Sequence, residues 1–139
     1  MVTSWFHLNH RSGIPLYLQL KEQIKTAVAG GVLKPGDRLP PVRELALKLT
    51  VNPNTIVRAY SELERDGLLS SEQGRGTFVR AAEPLLGAEE RKIQMQGLID
   101  KVLVEAFNLR LTTEELKKLW EERLQAWEVR LREGKGADR

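Results

Sequence analysis

Asn52, Asn54 and Thr55 follow the turn at Thr50-Val51, where short polar side chains on the first turn of a helix could read a nucleic-acid edge. An asparagine amide can donate to and accept from one adenine at N6 and N7, and a threonine methyl can meet a thymine methyl. Free N–H groups at a helix start would also suit a phosphate. Asn52 has a competing explanation, since Asn52-Pro53 reads as a cap followed by proline at the first helical position. Arg43 falls in the first turn of the preceding helix, where a cation opposes the helix dipole and a phosphate would relieve the conflict. Arg58 lies on the polar side of the following helix. Either arginine could equally be a solvated surface charge. Arg75 is a sharper case, because it sits between Gly74 and Gly76 in a hairpin tip. Glycine supplies positive φ there and lets the backbone approach a groove while the guanidinium reaches in. Lys21 and Lys48 are further candidates for phosphate contact.

These residues need elements to hold them. Trp5 to Leu8 reads as a short strand or an extended arm. Pro15 suits a first helical position, and Leu16, Leu20, Ile24 and Val28 then form one apolar stripe ended by Gly30-Gly31. Pro35-Gly36 has the chemistry of a type II turn. A second helix begins near Pro41 and buries Val42, Leu45, Ala46 and Leu49. A third starts at Asn52, turns Ile56, Tyr60 and Leu63 inward, and ends at Gly67. Leu68 to Ser70 and Thr77 to Val79 read as strands flanking the tip at Glu72 to Gly76. Two short helices, a tight turn and a glycine-tipped hairpin are the outline of a winged helix-turn-helix.

Composition shifts at Ala81–Gly87, read as a linker between a 1–80 domain and an 88–139 helical segment. One long helix there carries Ile93, Leu98, Ile99, Val102, Ala106 and Phe107, and breaks at Asn108 to Leu111. Thr112 and Glu115 match a capping box that starts a last helix, whose tail GKGADR is expected to fray. Leu116, Trp120, Leu124, Trp127 and Leu131 share one face of it. They offer more apolar area than one short partner helix covers, so dimerisation is favoured over packing back onto the first domain. The helix is too short for several heptads of coiled coil. Two helices alone are not expected to enclose a pocket of about 300–1,000 Å³, which would place any effector between subunits or near Pro84.

The 139-residue chain is 41% apolar and 29% charged, with no cysteine, as suits an intracellular protein without disulfides or thiolate metal sites. No signal peptide opens it, and no apolar run approaches the ~20 residues of a membrane span. Residues 1–80 hold 11 Lys and Arg against 7 Asp and Glu, while residues 81–139 hold 11 against 12. The basic part coincides with the helix-turn-helix outline, as a nucleic-acid partner would require. His7 and His10 have no cysteine or tight carboxylate cluster around them. No phosphate-binding loop or nucleophile motif is present, so neither an enzyme nor a cofactor is expected.

The run from Pro15 to Val79, with PGDRLP, VREL, NTIVRAY, LERDGLL and GRGTFV in order, resembles the DNA-binding domain of the GntR family of bacterial transcription regulators. The short C-terminal part and the VNPNT and RAY wording are similar to the YtrA subfamily, whose members carry a small helical dimerisation segment. The resemblance implies a mainly α fold with a small β wing: an N-terminal winged helix-turn-helix plus a C-terminal helical dimerisation segment. It implies DNA contacts at Arg43, Asn52, Asn54, Thr55, Arg58, Arg75, Gly76 and Thr77. Pro41 stands where many members have a capping serine, and Pro53 and Val57 where many have arginine, so base preferences do not transfer. The expected function is that of a cytoplasmic, homodimeric, sequence-specific regulator, a repressor on a palindromic double-stranded operator. The alternatives are a non-specific architectural nucleic-acid binder and a winged-helix protein–protein module.

Overall fold

Apolar residues four apart wind into a stripe on α1 (Leu16–Ala29), and Leu20, Ile24 and Ala27 of that stripe are buried. The computed structural model describes residues 6–80 and 85–136. Pro15 lies one place outside α1, and its carbonyl accepts from the N–H groups of Leu18 and Gln19, both at 3.1 Å. Gly31 rather than Gly30 takes the left-handed conformation that ends the helix, with φ 80°. No strand forms at residues 6–8. Side-chain amides of α1 hold the backbone there in place of a ladder: His7 N–H donates to Gln23 Oε1 at 2.9 Å and Asn9 N–H to Gln19 Oε1 at 2.8 Å. Phe6 is buried in the core. Trp5 lies outside the described residues.

Helices α2 (Val42–Leu49) and α3 (Pro53–Arg65) are joined by a turn in which Thr50 adopts φ 56°. A β-branched residue in that region is strained. α1 and α2 both pack on α3, whose Ile56, Ala59, Tyr60 and Leu63 are buried. Leu33, Leu39, Leu45 and Leu69 close the core from the loops and neighbouring elements.

The hairpin is β1 (Leu69–Glu72) antiparallel to β2 (Gly76–Val79), one to two residues longer toward the tip than the sequence suggests. Its other edge is occupied as well. Leu39 N–H donates to the Thr77 carbonyl and Val79 N–H to the Asp37 carbonyl, both at 2.8 Å, and Arg38 bridges Phe78. The Pro35-Gly36 turn feeds this third strand-like segment, with Gly36 at φ 90° and Asp37 N–H donating to the Lys34 carbonyl at 2.9 Å.

The chain divides into two units, residues 1–83 and 84–139. The second consists of α4 (Ala88–Asn108) and α5 (Thr113–Gly136), and α5 runs into the tail that the sequence suggested would fray. Residues 81–84 of the expected linker lie outside the described residues, and Gly87 caps α4, its N–H donating to Glu90 Oε2 at 2.8 Å. The break at Asn108 to Leu111 contains Arg110 at φ 59°. The capping box forms: Glu115 N–H donates to Thr112 Oγ1 at 3.1 Å and Thr112 N–H to Glu115 Oε1 at 3.0 Å. The Thr112 N–H first, and then the Thr112 hydroxyl, hold the Glu115 carboxyl below the usual range.

Candidate nucleic-acid interface

The start of α3 is built by Asn52. Its Oδ1 accepts from Asn54 N–H at 2.8 Å, and its carbonyl accepts from Thr55 N–H at 2.9 Å. Pro53 has no N–H. The free donors expected at this helix start are therefore consumed inside the chain, and the end is not an anion cradle. What it offers instead is fixed side chains. Asn54 projects from an exposed first turn, Asn52 keeps its amide N–H groups, and Thr55 is half-buried. The exposed face continues through Val57, Arg58 and Ser61, following the helical period from Asn54. Val57 is 46% exposed, an apolar surface of the kind that meets a thymine methyl. The spacing of these residues is visible in the sequence, but only the packing of α3 shows that this side of the helix is exposed.

The open N–H groups are at α2. No side chain caps that helix, and the N–H groups of Val42, Arg43 and Glu44 have no partner among the described residues. Arg43 is exposed there, with no carboxylate on it among the described residues. The loss of a cap that Pro41 implied thus leaves a cation and open donors on one helix turn, a combination suited to a phosphate.

Two of the expected contacts are already engaged. Arg58 Nε donates to Glu62 Oε2 at 3.3 Å, and its guanidinium lies 3.7 Å from the centroid of the Tyr17 ring. Lys21 is not a free phosphate contact: it is half-buried on α1 between Glu62, at 3.2 Å, and Asp66, at 3.1 Å. Burial opposes its charge, but the two carboxylates outweigh that and leave its pKa raised. The Lys21 ammonium foremost, with Arg58, holds the Glu62 carboxyl below its ordinary range. Lys48 is exposed on α2.

In the wing, Arg75 pairs with Glu72, Nη1 to Oε2 at 2.9 Å, and its guanidinium is 5.7 Å from the centroid of Phe78. Both partners are largely exposed, so the pair is worth little and yields readily to a phosphate. Gly74 and Gly76 have φ 79° and 119°, as the hairpin tip required. Thr77 is half-buried, and its carbonyl is committed to Leu39. Ser71 Oγ donates to Glu64 Oε2 at 3.0 Å, tying the wing to α3. Tyr60 Oη, buried, donates to the Pro40 carbonyl at 2.7 Å and ties α3 to the segment that enters α2.

In the second unit Trp120, Leu124, Trp127 and Leu131 are 44%, 46%, 37% and 36% exposed, and Leu116 is half-buried. Between α4 and α5 runs an open apolar groove of about 390 Å³ lined by Ile99, Val102, Leu103, Leu116 and Trp120. The groove is open to solvent, and its volume falls in the range of a ligand site, which two helices alone were not expected to supply. No helix of the described residues is long and apolar enough to cross a membrane, and no group of three His, Cys, Asp or Glu among them could hold a metal ion.

The family described as bacterial regulatory proteins, gntR family, matches residues 16–79. The HTH-type transcriptional repressor YtrA of Bacillus subtilis (strain 168) is 36% identical over 99 residues, 71% of this chain and 76% of that protein. The structure is similar to a transcriptional antiterminator from Listeria monocytogenes EGD-e, with a TM-score of 0.75 at 31% identity, covering 90% of this chain and 93% of the other. It is also similar to YtrA from Sulfolobus acidocaldarius, a GntR-family transcription factor, with a TM-score of 0.58 at 33% identity over 70% of this chain and 96% of that one.

Proposed function

The chain belongs to the gntR family of bacterial regulatory proteins as a YtrA-like transcriptional regulator and not an enzyme, and on that premise we propose that it is a cytoplasmic homodimeric repressor of a palindromic operator. Residues 1–80 form the DNA-binding domain, residues 81–87 the linker and residues 88–139 the dimerisation segment. The observation that carries the reading is the first turn of α3, where the Asn52 cap fixes an exposed Asn54 and leaves its amide free to pair with a base. Arg43 supplies a phosphate contact from α2, and Arg75, Gly76 and Thr77 supply one from the wing. Thr55 and Arg58 complete the reading surface once Arg58 exchanges Glu62 for DNA.

Dimerisation follows from exposed aromatic area. Trp120 and Trp127 with Leu116, Leu124 and Leu131 place large apolar side chains on one face of α5, and aromatic anchors of this kind carry interface energy. A two-fold dimer presents two reading heads to half-sites about 34 Å apart. Repression is supported by the name of the Bacillus subtilis relative. An effector, where one acts, sits between subunits or at the linker and alters the separation of the heads.

A gel shift tests the reading. The full chain should retard duplex DNA from the region upstream of its own gene in the presence of excess unrelated duplex. Competition by unrelated DNA at equal mass would replace sequence-specific regulation with non-specific binding.

A further inference from the structure

The wing holds a second arginine that belongs to neither hairpin strand. Arg38 bridges Phe78 on the edge of β2 opposite β1. Leu69 and Val79, paired across the hairpin, are buried, so Phe78 and Gly76 share the face turned away from the core. Arg38 lies along that face. A Cβ placed on Gly76 would come 2.8 Å from Arg38 Nε and 3.3 Å from Nη2, so the guanidinium occupies the space a side chain there would need. Arg38 is exposed and makes no ion pair with a described carboxylate, whereas Arg75, whose guanidinium lies beside the Phe78 ring, has Glu72. The nearest acid in sequence, Asp37, accepts from Lys34 N–H instead. Two guanidinium groups thus share one small face with a single exposed carboxylate, an arrangement that a polyanion relieves.

We propose that Arg38 is a second cation of the wing that contacts the phosphate backbone of bound duplex DNA beside Arg75, its guanidinium lying in the space that Gly76 leaves open. This rests on the DNA-binding reading above. The bridge to Phe78 fixes the backbone of Arg38, so its side chain starts from a set place on the wing. It carries no sequence information, because phosphate contacts position a protein without reading bases.

The test is fluorescence anisotropy of the full chain on a mixed-sequence duplex of about 30 base pairs, across roughly 50–200 mM salt. Arg38→Gln keeps much of the side chain's length and removes its charge. Its log–log salt slope should be shallower by about 0.9, so over the fourfold salt rise it loses about 3.5-fold less affinity than the wild type. An unchanged slope in Arg38→Gln, with Arg43→Ala lowering it, overturns this proposal alone. Failure of the wild type to bind the duplex overturns it together with the DNA-binding reading.

Discussion

Replacing Tyr60 by Phe removes one hydroxyl and isolates its effect. In the folded chain Tyr60 Oη is buried on α3 and donates to the Pro40 carbonyl at 2.7 Å, on the segment that leads from the wing bridge into α2. Pro40 is itself buried, so the variant leaves a carbonyl without its donor, a cost of about 1–2 kcal/mol. The urea midpoint near pH 8 should fall by on the order of 1 M. Alkaline pH reverses the comparison. Burial, with the charge of Glu44 adding to it, raises the pKa of Tyr60 above its ordinary 10.0. A raised folded pKa means that the stability from Tyr60 is complete below about pH 10 and is lost as pH rises, since the unfolded chain ionises first. The wild type therefore loses about 1 kcal/mol per pH unit above 10 that Tyr60→Phe does not, and the two stabilities should meet near roughly pH 11. Urea titrations of both proteins followed by far-UV circular dichroism at several pH values measure this. A deficit that is absent at pH 8, or one that stays constant to pH 11, would refute the buried hydrogen bond as the tie between α3 and this segment.

Thr112→Ala removes the hydroxyl that accepts Glu115 N–H and should cost the start of α5 about 1 kcal/mol, read as faster amide exchange in its first turn. Glu62→Gln unties Lys21 and Arg58. Because the Glu62 pKa is lowered, its contribution is present above the ordinary carboxylate range and lost as pH falls, so the variant's stability should depend less on pH in acid. The same variant frees Arg58 and should bind a random duplex more tightly; weaker binding would show that Glu62 positions Arg58 for DNA. Trp127→Asp places a charge on the exposed α5 face and should convert the proposed dimer to monomer in sedimentation at micromolar protein, with a loss of DNA affinity. A dimer that survives it would move the interface elsewhere.

The sequence was most legible where a local chemical rule had one solution. Asn52-Pro53 could only start a helix, Thr112 with Glu115 could only box one, and Gly36 and Gly74 stood where positive φ was needed. Thr50 shows the limit of that logic, since a β-branched residue takes a left-handed position that no local rule assigns to it. Of the strand and the extended arm that residues 5–8 allowed, the strand does not form, because the backbone partners of His7 and Asn9 are the amide side chains of Gln23 and Gln19, which no strand pattern encodes. At the candidate site, the residue types were readable and their engagement was not. The i,i+4 spacing of Arg58 and Glu62 could have revealed their pairing, but Lys21 reaching Glu62 and Asp66 is a tertiary fact. Arg38 was invisible because its place beside Gly76 depends on a third segment joining the hairpin.

The central claim is that the first turn of α3 reads bases while Arg43 and the wing hold the backbone. Selection of the full chain against a random duplex library, followed by affinity measurements with Asn54→Ala on the enriched sequence and on unselected DNA, tests it directly. The account predicts a palindromic motif with half-sites about one helical turn apart. It also predicts that Asn54→Ala costs on the order of 1–3 kcal/mol on that motif and almost nothing on unselected DNA. An unenriched pool, or equal losses on both DNAs, would contradict it.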